Sequence, residues 1–134
     1  MTIRGACSSS LIALNEACTS IARGEYESAI VGGTNIIEAT SLTVASSKHG
    51  ALSSDDSFKT FSSEANGYAR GEGVVVLHLK SLKHARRNGN SIDTDIVDTA
   101  TNCDGKTLRF SVPSTAAQEA FIWFMYKLIP RMNC

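Results

Sequence analysis

Cys7 is the side chain in this sequence best placed to do chemistry. It lies among small residues in Gly5-Ala6-Cys7-Ser8-Ser9-Ser10, between a short apolar lead (Thr2-Ile3) and an amphipathic run that begins near Leu11. Strand, tight turn with an exposed nucleophile, then helix is the elbow on which acyl-transfer chemistry is built. The turn is crowded, so the residues two before and two after the nucleophile must be small, and Gly5 and Ser9 meet that demand. Unpaired N–H groups of the first helical turn favour a thiolate. The helix dipole adds an effect of the same sign, about 0.3–1 kcal/mol at exposed sites. The N–H of Cys7 would supply half of an oxyanion hole. A second reading makes Cys7 a small buried apolar residue in a serine-rich turn. The local pattern leaves both open.

Composition removes several other classes of function. The 134 residues are 43% hydrophobic and 19% charged, which suits a globular fold and argues against disorder. Thirteen basic residues balance 13 acidic ones, so no basic stripe marks nucleic acid or an anionic membrane as a partner. No apolar run reaches membrane-spanning length, and no leader pattern follows Met1. Cys7, Cys18, Cys103 and Cys134 form no C-x-x-C pair. A zinc site is therefore not expected, and reduced thiols in a cytoplasmic chain are.

The elements that must position the cysteine follow in order. Leu11, Leu14, Cys18 and Ile21 recur at helical spacing and predict a helix over Ser9 to Arg23, stopped by Gly24. Ser28 to Thr34 reads as a buried strand of the kind parallel sheets require. Ile36 to Ser47 is weakly helical, and Ser53 to Ser57 is loop. Gly67, Gly71 and Gly73 within seven residues form a turn feeding a central strand, Val74 to Leu79. Arg70 and Glu72 in that turn read as a solvated rim pair. A short helix over Leu82 to Arg87 and a strand over Ile92 to Thr101 come next. Thr115-x-x-Gln118 reads as a capping box opening a last helix to about Leu128, apolar on most sides, a pattern that normally means burial on both faces but that the remaining residues are not expected to cover. Alternating strands and helices indicate an α/β fold.

Taken together, the motifs resemble one family. Gly5-Ala6-Cys7-Ser8-Ser9-Ser10-Leu11, the paired glycines Gly32-Gly33 after a short strand, Leu52-Ser53, Lys59-Thr60-Phe61, Asn66-Gly67-Tyr68-Ala69-Arg70-Gly71-Glu72-Gly73 and Asn102-Cys103-Asp104-Gly105 fall in one order and spacing. They are similar to the ketosynthase (β-ketoacyl synthase) domain of polyketide synthases, most like the fungal ones, from about Thr2 to Ala120. The resemblance implies an α/β thiolase-like layered fold (αβαβα), with residues 1–134 an internal part of one ketosynthase domain. That part runs from the elbow to the start of the second half, and residues 121–134 match poorly.

What the resemblance implies for function is a two-stage reaction with Cys7 as the catalytic nucleophile. Cys7 would accept an acyl chain from the phosphopantetheine of an acyl carrier protein. A carbanion from decarboxylating malonyl thioester would then attack the acyl-enzyme. No bound cofactor and no metal are implied, and the parent enzyme would be a homodimer. The family's two catalytic histidine motifs have no counterpart in this sequence. His49, His78 and His84 stand elsewhere and are expected to play structural roles. The sequence also departs from the family where Ser54 and Asp56 replace the proline and glycine of Leu-Ser-Pro-Asp-Gly. Further departures are Ser62 for the Asp after Lys-Thr-Phe, Cys103 for a glutamine, and Leu108-Arg109-Phe110 for small residues. Condensation by these residues alone is not expected. A non-catalytic ketosynthase-like fragment or pseudogene product is one alternative. A cysteine hydrolase using one of the three histidines is another.

Overall fold

A computed structural model describes residues 1–107 and 112–128. It divides into two compact units, one of Met1–Val31 with the chain from Leu77 onward, the other of Gly32–Val76.

In the first unit, a 3-10 turn over Ala6–Ser8 leads directly into helix α1 (Ser9–Ala22). Gly24, at φ +75°, ends α1 as expected: its N–H donates to Ile21 O, and Glu25 N–H donates to Ser20 O, both at 3.0 Å. This pair of bonds satisfies carbonyls that the last helical turn leaves open. The inward stripe of α1 differs from the expected one. Leu11 is 67% exposed, whereas Ile12, Leu14, Cys18 and Ile21 are half-buried. Ile12 turns back onto Gly5, as the elbow requires.

Strands β1 (Ser28–Asn35) and β2 (Gly73–Lys80) form a two-stranded sheet. Ser81 N–H donates to Glu27 O at one end of the ladder, and the Asn35 side-chain amide donates to Gly71 O at the other. The pairing is therefore antiparallel, which corrects the parallel arrangement expected of β1. Burial is also less than expected. Only Val31 of the two strands is buried, and Val74, Val75 and Val76 are 64%, 62% and 63% exposed.

Helix α3 (Leu82–Arg87) follows β2, capped by Ser81, whose hydroxyl accepts from His84 N–H at 3.3 Å. The strand expected over Ile92 to Thr101 does not form. There the Asp98 carboxylate takes the N–H of Thr99 at 2.7 Å, and a side chain that captures a backbone donor withdraws it from any ladder. Helix α4 (Thr115–Leu128) begins one residue earlier than the expected capping box implies. Ser114, not Thr115, is the cap. Its hydroxyl accepts from Ala117 N–H at 3.2 Å, while the Asp104 carboxylate accepts Ser114 N–H at 2.9 Å. On α4, Ile122, Trp123, Phe124 and Tyr126 are exposed, so its apolar faces are uncovered, as expected. The sequence features noted at 108–110 and 129–134 lie outside the described residues.

In the second unit, helix α2 occupies Ser41–Lys48. Residues 36–39 stay non-helical, and there the N–H of Ile37 donates to the Glu72 carboxylate. A loop then runs from Leu52 to Tyr68, which close on each other as an isolated parallel bridge. No helix among the described residues is long and apolar enough to cross a membrane.

Candidate active site

The elbow is built from backbone strain and two hydroxyls. Met1–Gly5 forms no strand, so the strand expected to lead into the cysteine is absent. A strand exists only through a ladder partner, and none pairs with this segment among the described residues. The turn itself is present. Ala6 sits at φ +51°, in the left-handed region that costs a side-chain-bearing residue about 1–2 kcal/mol. Ser8 N–H donates to Gly5 O at 3.2 Å, and Ser9 N–H donates to Ala6 O. The Cys7 N–H takes no part in these closing bonds.

The serines reinforce the turn. Ser8 Oγ donates to Gly5 O at 2.8 Å, and Ser9 Oγ both donates to Ala6 O at 2.7 Å and accepts Gly5 N–H at 2.9 Å. Ser8 occupies the N-cap position of α1 yet makes no side-chain cap bond. The first N–H groups of α1 are thus left without the capping side chain that serines usually supply. Crowding at Gly5 is measurable, since a Cβ there would lie 2.6 Å from Ile12 Cδ1 and 3.4 Å from Ser8 Oγ. The small-residue requirement identified Gly5 correctly. It treated Ser9 only as small, and the hydroxyl and the Ile12 contact were missed. A serine three and four residues after the groups it bonds is a local signal that could have revealed them.

Cys7 is exposed, immediately before α1. Cys103 is also exposed, and its sulfur accepts Gly105 N–H at 3.5 Å. Cys18 is half-buried; burial pushes its thiol up, while a hydrogen bond with Thr99 acts the other way. Cys134 lies outside the described residues.

No histidine is hydrogen-bonded to Cys7 among the described residues. His78 is on β2, His49 caps the end of α2, and His84 on α3 has a buried Nδ1 without a partner. A hydrolase relay through these histidines has no hydrogen bond to support it. Arg70 and Glu72 do not pair with each other either. The Arg70 guanidinium donates to the Thr43 hydroxyl, and Glu72 accepts from Ile37 N–H. Among the described residues no three His, Cys, Asp or Glu side chains gather as metal ligands.

In the second unit, the loop from Leu52 to Tyr68 carries a dense polar network. Ser53 is 7% exposed. Its hydroxyl donates to the Asp55 carboxylate, meets Asn66 Oδ1 at 2.9 Å and accepts the N–H groups of Asp55 and Ser57 at 3.4 Å. Lys59 Nζ lies 2.6 Å from Asp55 Oδ2. The Lys59 ammonium first, then the Ser53 hydroxyl, hold the Asp55 carboxyl far below the usual carboxylate range. The sequence marks Ser53 as loop and as part of the Leu52-Ser53 motif, and predicts neither its hydroxyl network nor the Asp55–Lys59 pair.

Residues 1–85 match the family model described as beta-ketoacyl synthase, N-terminal domain. A highly reducing polyketide synthase of Aspergillus fumigatus is 54% identical over 128 residues, covering 96% of this chain and 5% of the relative. One from Gibberella moniliformis is 47% identical over 136 residues, covering 99% of this chain and 5% of the relative. This chain thus spans about one twentieth of those relatives' length. Among solved structures, the ketosynthase from module 6 of the bacillaene synthase of Bacillus subtilis 168 superposes with a TM-score of 0.80 at 35% identity, covering 84% of this chain and 20% of that one. An oxazolomycin ketosynthase domain of Streptomyces albus gives a TM-score of 0.85 at 34% identity, covering 90% of this chain and 21% of that one. The α/β, thiolase-like fold expected from the motifs is the fold these neighbours have, and this chain holds part of it.

Proposed function

The chain belongs to the beta-ketoacyl synthase family, and from that premise we propose that residues 1–134 are the acyl-accepting part of a ketosynthase domain, with Cys7 as nucleophile. The observation that carries the reading is the exposed Cys7 in a strained turn, directly before a helix start with no side-chain cap. In the first stage the Cys7 thiolate attacks the carbonyl carbon of an acyl thioester. The oxygen that becomes negative is met by N–H groups of the turn and of α1. The intermediate collapses by breaking the bond from carbon to the donor sulfur, which leaves as a thiolate and takes up a proton. The product is an acyl-Cys7 thioester.

In the second stage malonyl thioester loses carbon dioxide, and the resulting carbanion attacks the acyl-Cys7 carbonyl. Cys7 sulfur leaves, and the lengthened ketoacyl chain remains on the donor's thiol. In the family this stage uses two histidine motifs that these 134 residues do not contain. The donor proposed is an acyl carrier protein bearing phosphopantetheine. The parent enzyme is proposed to be a polyketide synthase, in keeping with how the fungal relatives are described, and its homodimeric state and cytoplasmic location are proposed from the family resemblance.

The test is incubation with hexanoyl-N-acetylcysteamine, with and without the malonyl analogue, followed by mass spectrometry of peptides and products. The expected result is a hexanoyl group on Cys7, none on the Cys7→Ala variant at that position, and no ketoacyl product. Absence of a Cys7 adduct would refute the nucleophile assignment. A ketoacyl product would refute the requirement for the histidine motifs.

A further inference from the structure

We propose that Ser9 is a positioning residue for acyl transfer, its hydroxyl acting as the clamp that holds Ala6 in its strained conformation and thereby aims the Cys7 sulfur and N–H. The proposal rests on the reading of Cys7 as nucleophile. Ala6 lacks the freedom of glycine yet sits at φ +51°, and such a conformation persists only where its surroundings over-determine it. One hydroxyl grips both sides of Ala6. Ser9 Oγ accepts the N–H of Gly5 at 2.9 Å, ahead of Ala6, and donates to the carbonyl of Ala6 itself at 2.7 Å. The Ser8 hydroxyl reaches only Gly5 O, so it bears on one side of the strained residue.

Both hydroxyls face back toward the turn, away from α1. Their contribution is therefore to the elbow, not to capping the helix. The peptide that Ser9 grips at its carbonyl, Ala6–Cys7, is the one that carries the Cys7 N–H. With the Ser9 hydroxyl removed, Ala6 can relax to negative φ, and that peptide rotates. The donor proposed for the oxyanion and the direction of the Cys7 side chain then change together. Misplacement of reacting groups by about 1 Å can slow a reaction about a hundredfold.

The experiment compares the full chain with its Ser9→Ala, Ser9→Thr, Ser8→Ala and Ser9→Ala/Ala6→Gly variants. Iodoacetamide labelling of Cys7 is followed across about pH 6 to 9, where thiolate fractions change. The exposed Cys103 in the same molecules is the internal reference, and a thermal melt reports folding. Ser9→Ala should lower the ratio of Cys7 to Cys103 labelling about tenfold and change the shape of the Cys7 pH profile, with Cys103 unaffected. Ser9→Thr should restore the ratio to within about twofold because it keeps the hydroxyl. Ala6→Gly should rescue Ser9→Ala, since glycine adopts positive φ without strain. Ser8→Ala should matter less than Ser9→Ala.

An unchanged labelling ratio in Ser9→Ala overturns the proposal. Failure of Ala6→Gly to rescue overturns it as well, including where Ser9→Ala alone does not fold. Labelling of Cys7 that depends on Ser9, without acylation by hexanoyl-N-acetylcysteamine, would sink the nucleophile reading and leave the clamp. Acylation of Cys7 that ignores Ser9 would do the reverse.

Discussion

The elbow at Gly5–Ser9 and the loop from Leu52 to Tyr68 both hold side-chain-bearing residues at positive φ: Ala6 at +51° in one, Asp56 at +50° and Phe61 at +64° in the other. They do so by different means. The elbow uses uncharged hydroxyls bonded to backbone three and four residues away. The loop uses a buried serine, an amide and an ion pair, and its longest side-chain bond joins residues 13 apart. In the loop the polar side chains of Ser53, Asp55, Lys59 and Asn66 are engaged with one another. At the elbow they are turned onto the backbone, and the Cys7 thiol, the proposed nucleophile, is left exposed. The contrast separates a segment whose side chains hold one another from one whose side chains hold the backbone beside an exposed sulfur.

The largest effect should come from the loop. Gly67 lies at φ +139°, and a Cβ there would sit 2.5 Å from the Leu52 carbonyl carbon and the Ser53 nitrogen. Both are backbone atoms, so Gly67→Ala should destabilise the fold by about 3 kcal/mol or more, read as a lowered urea midpoint. An unchanged midpoint would break the claim that the loop is tightly determined. Ser53→Ala comes next, at about 2 kcal/mol, because it removes the buried hydroxyl that bonds the Asp55 carboxylate and the N–H groups of Asp55 and Ser57 in a part-buried network. Gly5→Ala should cost less in stability, about 1 kcal/mol, since the atom it meets is the mobile end of Ile12. Its effect on Cys7 labelling should nevertheless exceed that of either loop variant, and Ile12→Val should recover part of the loss.

The smallest expected effect is on pH dependence. The folded Asp55 carboxyl titrates below its ordinary value because of Lys59 and then Ser53. Its contribution is therefore complete above the ordinary carboxylate value near about pH 4. It is lost as pH falls through the lower folded value. Asp55→Asn should flatten the acid side of the stability curve and leave Cys7 labelling at neutral pH unchanged. A loss of labelling would show that loop and elbow are coupled.

Much of this arrangement was legible in the residues. The helical spacing of Leu14, Cys18 and Ile21 with Gly24 behind them placed α1 to within a residue, and Leu82–Arg87 emerged with the expected bounds. The turn around Cys7 followed from small residues alone. Features set by hydrogen bonding of individual side chains were not legible. Residues 92–101 have strand-like composition, but Asp98 removes a ladder donor. Ser114 and Thr115 are both capping types, the capping-box spacing with Gln118 favours Thr115, and the bonds to Ala117 and Asp104 put the cap at Ser114. The direction of strand pairing depends on what the long connection after β1 does, which residue periodicity does not encode. Ser9 illustrates the limit most clearly, because size and hydroxyl both suit the turn and only the folded structure separates them.

Cys7 and Cys103 are both exposed thiols, so exposure alone would make them equivalent. The most direct test of the account is a competition between them: a limiting amount of hexanoyl-N-acetylcysteamine is added at neutral pH, and peptide mass spectrometry follows the acyl group on each cysteine over time. The account predicts that Cys7 is acylated first, by about tenfold or more. Equal or faster acylation of Cys103 would contradict it.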